Sequence, residues 1–454
     1  MTRKLFGTDG IRGTANKYPL TCELALDIGR AAAKIFKKSV KNKNKNKCMI
    51  IIGRDTRISG SMLENAIAAG ICSEGVDAIK AGIMTTPALA FTLEKKKAAA
   101  GIMISASHNP FEDNGIKIFA GNGFKLSDAQ EEEIEDMIFN FNKREPEVMP
   151  SEIGRVYDIN ASEDYINHIT ETFPKNLSLS GLKIFIDCAN GAGYDVAEKI
   201  FEKLGASVTA INDSPDGINI NRECGATNTK MLCKAVTGNG ADIGIALDGD
   251  ADRLIVVDEK GNTVDGDKIM ALCAVDLMKR GKLKDNTLVA TVMSNVGLDI
   301  AMNNAGIKVV KTSVGDRYVL EEMLKNNYNF GGEQSGHMIF LDYTKTGDGI
   351  LSAVQVLAVM KKSKRKISEL SGVMEKLPQV LINVKIKRKE DMNLIPEIKN
   401  SILDAEKELS GRGRVLVRFS GTENLCRVMV ESSSDELANK SAKRIADAVE
   451  RNLN

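Results

Sequence analysis

The sequence predicts an α/β protein with three related α/β units and a smaller α+β unit at the C-terminus. The chain of 454 residues is too long for one compact core. Short apolar runs that end in a polar turn and lead into a helical stretch recur three times. After residue 370 the pattern changes to alternating apolar and polar residues, which is typical of a half-exposed antiparallel strand.

The first predicted helix is Glu23–Phe36, because its apolar side chains recur on one face. Strands are predicted at 49–52, 184–186 and 288–292, each followed by a polar turn and a helix. A further strand is predicted at 380–387. Proline, glycine and charged connectors between these patterns divide the chain into four predicted domains, at residues 1–155, 156–257, 258–370 and 371–454.

Composition narrows the classes of partner and compartment. The 62 basic and 61 acidic residues give a net charge of +1, so we expect no nucleic-acid partner. No apolar run approaches the ~18 residues that span a bilayer, and the N-terminus lacks the apolar core of a signal peptide. The eight cysteines are scattered, which favours a reducing, cytoplasmic location. We interpret the lysine-rich tract at 41–47 as a solvated loop; a basic nucleic-acid patch is the alternative.

The first segment whose residues could take part in catalysis or binding is 102–110, where an apolar strand leads into Ser105-Ala106-Ser107-His108-Asn109-Pro110. The residue before a proline avoids helical geometry. Such a loop can expose one hydroxyl at the carboxyl end of a strand, where α/β proteins bind ligands. An ordinary turn is the alternative.

The second segment, at 246–253, carries three carboxylates at alternate positions, Asp248, Asp250 and Asp252, followed by Arg253. Carboxylate oxygens are the ligands that Mg²⁺ and Ca²⁺ prefer. On an ideal strand the outer two would lie ~13 Å apart, so the segment must curl if the three share an ion. A solvated acidic turn is one alternative. An EF-hand completed by Glu259 is another, but its sixth position requires glycine and is Arg253 here.

Two more segments suit sugar and phosphate recognition. In 330–337, glycines flank Glu333, Gln334, Ser335 and His337, and close-spaced polar groups on a flexible loop can bind sugar hydroxyls. In 415–427, a strand leads into a turn with two arginines and two hydroxyls, a pattern that favours an anion site. Ordinary polar turns or a surface hairpin are the alternatives. The four segments together indicate phosphoryl transfer.

These segments resemble the signature loops of the α-D-phosphohexomutase (phosphoglucomutase/phosphomannomutase) family, in the same order over nearly the whole chain. The resemblance implies mixed sheets and a central active-site cleft to which each domain contributes one loop. Three further stretches, at 4–13, 314–319 and 342–349, resemble the branch that interconverts glucosamine 6-phosphate and glucosamine 1-phosphate. Phe419 and Asn424 stand where that branch usually has prolines. Without those fixed φ angles, the free loop is expected to be less preorganised.

The resemblance also implies a role for each segment. Ser107 is the implied phosphoserine, and its phosphate with Asp248, Asp250 and Asp252 binds one Mg²⁺. The implied catalytic residues besides Ser107 are Lys117, as general base, with His108, Arg12 and Arg253. The implied sugar-binding residues are Glu333, Ser335 and His337. The implied phosphate-binding residues are Arg418, Ser420, Gly421, Thr422 and Arg427.

In the implied reaction, phosphoserine 107 gives its phosphate to the sugar, which makes a 1,6-bisphosphate. This intermediate reorients end over end and then returns its other phosphate to Ser107. A lysine base needs a lowered pKa, which nearby cations could provide. Glucosamine 1,6-bisphosphate or a similar sugar bisphosphate is the expected activator. The product would feed UDP-N-acetylglucosamine synthesis, and a homodimer is expected.

Three other functions stay open on the sequence alone. A phosphoglucomutase or phosphomannomutase of the same family would use the same loops. A phosphatase would lose the intermediate to water. A non-catalytic Ca²⁺-binding protein would use only the acidic segment.

Overall fold

The computed structural model describes residues 5–7, 9–41, 48–140, 148–409, 413–420 and 424–454. Residues 42–47 of the lysine-rich tract lie outside these ranges. The chain forms two compact units. The first reaches to Met293 and includes Ile307–Gly372, and the second combines Ser294–Gly306 with Val373–Asn454.

The first sheet of the larger unit mixes parallel and antiparallel pairing. Its strands are β1 (Phe6–Gly7), β2 (Gly10–Thr14), β3 (Met49–Arg54), β4 (Asp77–Ile83), β5 (Ala100–Ile104), β6 (Asp113–Ala120) and β7 (Val156–Asp158). They lie in the order β1-β2-β6-β5-β3-β4-β7. The accompanying helices are α1 (Cys22–Lys41), α2 (Gly60–Ser73), α3 (Thr86–Lys96) and α4 (Asp128–Phe139). The apolar faces of α1 and α2 pack with β3 and β5 into one buried core.

The second sheet is also mixed. Its strands are β8 (Lys183–Asp187), β9 (Ser207–Ile211), β10 (Ile243–Leu247), β11 (Leu254–Asp258) and β12 (Thr263–Val264), in the order β12-β11-β10-β8-β9. Helices α5 (Ser162–Glu171), α6 (Ala197–Lys203) and α7 (Lys230–Asn239) belong to the same stretch of chain. Every residue of β10 and β11 is buried, as the unbroken apolar runs of these strands require.

The third sheet is formed by β13 (Thr287–Thr291), β14 (Lys308–Thr312), β15 (Phe330–Gly332) and β16 (Met338–Phe340), in the order β14-β13-β15-β16. Its stretch of chain also contains α8 (Gly266–Lys279), α9 (Val296–Asn304), α10 (Asp316–Asn326), α11 (Gly349–Ser363) and α12 (Ile367–Leu370). Strands β15 and β16 form an antiparallel hairpin, whereas β13 pairs in parallel with both β14 and β15. The helix α9 belongs to the second compact unit.

The second unit contains a small antiparallel sheet with helices. Strands β17 (Gln379–Lys385), β18 (Gly413–Phe419) and β19 (Leu425–Ser432) lie in the order β17-β19-β18. Helices α13 (Pro396–Leu409) and α14 (Asp435–Leu453) supply apolar side chains to its core. The predicted fold class, three mixed α/β sheets followed by a smaller α+β unit, is therefore confirmed.

The predicted elements are found at or within a few residues of their expected bounds. The helix predicted at Glu23–Phe36 is α1, and the four predicted strands are β3, β8, β13 and β17. Strand β7 begins just past the boundary predicted at residue 155 and pairs in parallel with β4. We therefore propose that the first domain extends to Asp158. None of the helices in the described ranges is both long and apolar enough to span a bilayer.

Candidate active site

Ser107 lies on the loop that follows β5, as predicted, and is held by its neighbours. Its amide N–H donates to Ser105 Oγ at 2.9 Å, and Ser105 Oγ donates in turn to Asp55 Oδ2 at 2.6 Å. The backbone of Ser107 has a φ of +52°, which is rare for a residue with a side chain. Backbone strain of this kind persists only where the surroundings enforce it, and it concentrates at functional sites.

A buried arginine that the sequence analysis missed holds this loop in place. Arg57 is only 1% exposed and forms an ion pair with Asp55 at 2.9 Å. Its guanidinium donates to the carbonyl oxygens of Ser107 at 3.0 Å and Asn109 at 2.8 Å. The signal in the sequence was the polar run Arg54-Asp55-Thr56-Arg57 at the carboxyl end of β3.

The three predicted metal-binding acids lie together in the turn between β10 and β11. Each can offer one carboxylate oxygen to a group whose members all lie within 4.8 Å of one another. The predicted curl is confirmed, and Ala251 contributes to it with a φ of +58°. Asp248, Asp250 and Asp252 are all buried. A solvated acidic turn is therefore excluded.

Close backbone packing brings the acidic turn against the serine loop. A Cβ on Gly249 would lie 2.5 Å from the carbonyl oxygen of Ser107, so only glycine fits there. Across this contact, Ser107 Oγ donates a 2.5 Å hydrogen bond to Asp248 Oδ2. The segments at 102–110 and 246–253, far apart in sequence, thus form one site.

Two carboxylate oxygens of the acidic turn suit a cation. Asp250 Oδ1 and Asp252 Oδ1 are buried and have no hydrogen-bond partner among the described residues. Burial and the charges of Asp252 and Asp250 raise the pKa of Asp248 well above its usual value. A hard cation would satisfy the free oxygens and offset this repulsion, so the residues fit Mg²⁺.

The expected lowering of the Lys117 pKa is wrong for this arrangement of charges. Lys117 Nζ lies 2.9 Å from Asp250, 3.2 Å from Asp9 and 3.7 Å from Asp252. Burial and Arg12 both act to lower its pKa, but the three carboxylates outweigh them and raise it. The anticipated effect of cations is present but smaller than that of the acids.

The other predicted catalytic residues surround Ser107. His108 Nδ1 lies 3.3 Å from Ser107 Oγ, and burial with the charges of Arg253 and Arg12 lowers the His108 pKa to about 4. Arg12 donates to the carbonyl oxygen of Ala106 at 3.2 Å. Arg253 donates its backbone N–H to Asp248 Oδ1 at 3.1 Å. All of the predicted catalytic and metal-binding residues are therefore brought together.

The predicted sugar segment forms a hairpin, in which strand β15 leads into a turn that carries Glu333 and Ser335. Residues 330–332 are strand β15, and the turn closes with the Glu333 amide donating to the His337 carbonyl at 2.9 Å. Gly336 has a φ of +94°, and a Cβ there would lie 2.2 Å from the Leu254 carbonyl oxygen. The turn is thus fixed against the strand that leaves the acidic turn. Within it, Ser335 is exposed and Glu333 is half-buried.

His337 is placed differently from the expected sugar ligand. Its ring is only 2% exposed, with Nδ1 3.5 Å from Asp252 and Nε2 3.4 Å from Asp316. The amide of Gly347 lies 3.1 Å from Nε2 and can donate to it in the neutral ring whose single proton is on Nδ1, the nitrogen that faces Asp252. Burial also favours the neutral ring, but the two carboxylates dominate and raise the His337 pKa to about 9. The placement supports a structural role beside Asp252, and a direct sugar contact is not supported.

Three more charged residues continue this network and were not assigned from the sequence. Lys125 Nζ lies 2.5 Å from Asp316 and also pairs with Asp9. Asp9 in turn pairs with Arg12 and Lys117. Asp9 and Asp316 both lie in stretches that carried the family resemblance, which was the available signal.

The predicted phosphate segment lies in the second compact unit. Arg418 of β18 stands directly opposite Arg427 of β19, so both side chains share one face of the antiparallel pair. Ser420 is buried, and its carbonyl oxygen accepts from Lys389 Nζ at 2.7 Å. Gly421 and Thr422 lie outside the described residues.

The EF-hand alternative is wrong. Residues 254–258 form strand β11 instead of continuing a calcium loop. The Glu259 carboxylate accepts hydrogen bonds from the hydroxyl and amide of Ser368. His168 of α5 stacks on Phe91 with ring centroids 4.3 Å apart.

Comparison with known proteins identifies the family. Models described as phosphoglucomutase/phosphomannomutase α/β/α domains I, II and III match residues 3–145, 163–261 and 265–377, and the C-terminal domain model matches 381–448. A phosphoglucosamine mutase of Geobacter sp. (strain M21) is 56% identical, with 99% of this chain and 98% of that protein covered. A phosphoglucosamine mutase of Syntrophotalea carbinolica is 53% identical, with 100% and 98% covered.

Solved structures show the same fold at low identity. A phosphoglucomutase/phosphomannomutase family protein of Burkholderia thailandensis superposes with a TM-score of 0.82 at 22% identity, covering 99% of this chain and 98% of that one. The N-acetylphosphoglucosamine mutase of Aspergillus fumigatus, solved with GlcNAc-6P and magnesium, gives 0.68 at 18% identity, with 99% and 96% covered. With all four domain models matched in order and relatives more than half identical, the chain belongs to the phosphoglucomutase/phosphomannomutase family.

Proposed function

We propose that this protein interconverts glucosamine 6-phosphate and glucosamine 1-phosphate through a phosphorylated Ser107. The observation that carries the proposal is the 2.5 Å hydrogen bond from Ser107 Oγ to Asp248 Oδ2, which joins a strained serine loop to a buried acidic turn. The relatives named phosphoglucosamine mutase, at 53–56% identity, supply the substrate class.

The reaction needs two transfers of the same kind. Phosphoserine 107 donates its phosphoryl group to one sugar hydroxyl, which gives a 1,6-bisphosphate and a free serine hydroxyl. The bisphosphate then reorients end over end within the site, and Ser107 Oγ accepts the phosphoryl group from its other end. Because the second transfer returns a phosphoryl group to Ser107 from the other sugar oxygen, the sugar phosphate is isomerised and the enzyme ends the cycle phosphorylated.

Asp248, Asp250 and Asp252 would hold one Mg²⁺ together with the Ser107 phosphate. When bound, the ion would neutralise charge that develops on the transferring phosphoryl oxygens. The Oδ1 atoms of Asp250 and Asp252, which have no hydrogen-bond partner among the described residues, are the candidate ligands. Arg253, whose amide already holds Asp248 Oδ1, adds a positive charge at the same turn.

Lys117 and His108 are the proposed proton carriers. The carboxylates around Lys117 hold its ammonium in place beside Asp250. A bound cation would offset those carboxylates and favour release of the Lys117 proton, which a general base requires. His108 Nδ1 lies within reach of Ser107 Oγ, and Arg12 keeps the neighbouring backbone in position.

Recognition of the sugar and of its distant phosphate is assigned to two hairpins. Glu333 and Ser335 offer acceptor and donor groups for hydroxyls, and His337, 3.5 Å from Asp252, helps to position that carboxylate. Arg418 and Arg427 stand directly opposite each other on β18 and β19, so two guanidinium groups that can bind a phosphate share one face of this antiparallel pair. We propose that, with Ser420, Gly421 and Thr422, they bind the phosphate that is not being transferred.

The remaining expectations are proposals of the same kind. A sugar 1,6-bisphosphate would restore phosphate to Ser107 when the intermediate escapes. All eight cysteines are free thiols, which supports a reducing, cytoplasmic location. The homodimer stays a prediction, to be measured by light scattering. The product would feed UDP-N-acetylglucosamine synthesis.

A side-by-side assay tests the function. Glucosamine, glucose and mannose 6-phosphates are supplied separately with Mg²⁺ and a catalytic amount of the matching 1,6-bisphosphate. We expect the highest kcat/KM with glucosamine 6-phosphate. A preference for glucose or mannose would move the proposal to a phosphoglucomutase or phosphomannomutase, and release of free phosphate without isomerised sugar would replace it with a phosphatase.

A further inference from the structure

The carboxylate of Asp250 is held from one side only. Its Oδ2 atom accepts from Thr86 Oγ1 at 2.6 Å and from Lys117 Nζ at 2.9 Å. Its Oδ1 atom is buried without a hydrogen-bond partner among the described residues. The two oxygens therefore differ in what they can still bind.

Thr86 is placed for this contact by the start of α3. It is the first residue of the helix and is completely buried. Its backbone N–H also donates to the carbonyl oxygen of Asp250 at 3.1 Å, so threonine and aspartate are joined twice. Two features fix this helix start: the Thr85 hydroxyl caps it by accepting from the Ala88 amide at 3.2 Å, and Pro87 restricts φ in the first turn.

We infer that Thr86 is a positioning residue that makes Asp250 a one-oxygen metal ligand and thereby favours Mg²⁺ over Ca²⁺. With Oδ2 occupied by the Thr86 hydroxyl and the Lys117 ammonium, Oδ1 is the oxygen of Asp250 that would remain for a cation. Mg²⁺ takes six ligands at about 2.0–2.1 Å with strict geometry, whereas Ca²⁺ accepts two oxygens of one carboxylate and more ligands at longer distances. A carboxylate that is free to turn would therefore suit Ca²⁺ better.

The contact belongs to the structural support of the site and not to its ligand set. The Thr86 hydroxyl donates its proton to Asp250 Oδ2, so its contact is with the metal-binding carboxylate. Partners that orient metal ligands typically change metal affinity about 10- to 100-fold when they are removed. The inference rests on the Mg²⁺ site of the proposed function.

The test compares three variants with the wild type in one phosphorylation state, verified by intact mass. Thr86→Val removes the hydroxyl at nearly constant shape. Thr86→Ser keeps the hydroxyl. Thr92→Val is the matched control, because Thr92 is a buried threonine of the same helix whose hydroxyl donates to the Ala88 carbonyl at 2.7 Å. Mg²⁺ and Ca²⁺ are each titrated by calorimetry, and the folded state is checked by circular dichroism.

We expect Thr86→Val to raise the Kd for Mg²⁺ about 10-fold or more. The Kd for Ca²⁺ should change less, so the preference for Mg²⁺ narrows. Thr86→Ser and Thr92→Val should keep the wild-type preference. If Thr86→Val does not fold, Thr86→Ala carries the same expectation, and Thr86→Ser alone still decides whether the hydroxyl preserves the preference.

Two results would overturn the inference. One is an unchanged preference for Mg²⁺ in the folded variants that lack the hydroxyl. The other is a loss of Mg²⁺ preference in Thr86→Ser or Thr92→Val that is as large as in Thr86→Val. The hydroxyl of Thr86 would then not be the cause of the preference. A wild-type protein that binds neither cation would instead contradict the metal role in the proposed function.

Discussion

At the scale of single residues, the site depends on one hydroxyl and three carboxylates, and the surrounding backbone leaves these groups few other positions. Ser107 has an unfavourable φ, and the neighbouring Gly249 leaves no room for a side chain. Arg57 fixes the serine loop through the carbonyl oxygens of Ser107 and Asn109. The chemistry of the site is therefore set by a few atoms whose positions are held by backbone contacts.

Phosphorylation should be found on Ser107 and not on Ser105. Ser105 Oγ is buried and already donates to Asp55 Oδ2, so a phosphate there would face a buried carboxylate. Mass spectrometry of the purified protein should show one phosphate on the peptide containing Ser107. Ser107→Ala should lower mutase turnover by at least about 1,000-fold, as the loss of other enzyme nucleophiles does. Phosphate found on Ser105 would contradict the assignment.

Removal of the metal should stop the reaction and weaken the fold. Three buried carboxylates repel one another unless a cation is bound, so Mg²⁺ should raise the melting temperature in a concentration-dependent way. Asp250→Asn should reduce that rise, whereas Asp195→Asn, a change of an exposed carboxylate paired with Lys199, should preserve it. Activity that survives thorough chelation would show that the acidic turn works without a metal.

At the scale of elements, helix α11 begins at a buried acid that depends on pH. Asp348 caps the helix by accepting from the Leu351 amide at 2.9 Å, and the Tyr165 hydroxyl lies 3.0 Å from both of its carboxylate oxygens. Burial raises the Asp348 pKa from its usual value to about 7. The folded protein therefore holds a proton that the unfolded chain releases between about pH 4 and pH 7.

Asp348→Asn should make stability less dependent on pH. Because the folded state binds more protons in this range, the wild type should lose stability as pH rises, by at most about 1.4 kcal/mol per pH unit from this group. Asparagine can still cap the helix but carries no charge. Urea unfolding at pH 5 and pH 8 should show that the free energy of unfolding of the variant, relative to that of the wild type, is higher at pH 8 than at pH 5. Asp265→Asn, at the cap of α8, is the control, and an equal gain there would contradict the assignment to Asp348.

At the scale of the whole molecule, the proposed chemistry is divided between two compact units. Ser107 and the three acids belong to the larger unit, and Arg418 and Arg427 to the smaller one. Remote binding energy of this kind can position a substrate without touching the bond that breaks. We call the proposed phosphate-binding arginines, Arg418 and Arg427, the phosphate clamp. Loss of this clamp should therefore lower the rate of sugar-phosphate isomerisation more than the rate of phosphoserine hydrolysis.

Arg418→Ala should lower kcat/KM roughly 10- to 150-fold, because a charge-assisted hydrogen bond contributes about 1.5–3 kcal/mol. The loss should appear in both directions, since the clamp must hold a 6-phosphate in one half-reaction and a 1-phosphate in the other. Slow hydrolysis of phosphoserine 107 in water should be much less affected. Arg451→Ala, which removes an exposed pair with Glu397 in the same unit, is the control. If kcat/KM of the Arg418→Ala variant is unchanged in both directions, Arg418 does not bind the phosphate, and β18 and β19 form a surface hairpin without this function.

The sequence by itself determined the fold class and the kinds of chemistry. Strands such as β3, β8 and β13 are short apolar runs that end in polar turns, so local periodicity alone predicted them. The spacing of Asp248, Asp250 and Asp252 required a curl, and glycine at 249 permitted it. These features depend on neighbours within a few positions, which a sequence displays directly. The hairpin at β15 was missed because Phe330-Gly331-Gly332 has the composition of a turn and becomes a strand only by pairing with β13 and β16.

Only the tertiary structure decided which groups face one another and what charges they hold. Lys117 was expected to have a lowered pKa, yet the fold surrounds it with Asp9, Asp250 and Asp252, the last two more than 130 positions away in the chain. The support of Asp250 by Thr86 crosses 164 positions in the same way. Electrostatic and hydrogen-bond energies depend on distances in space, and burial strengthens both by removing water. Sequence patterns specify which residues are present, whereas the packing of distant strand ends and helix starts sets their partners.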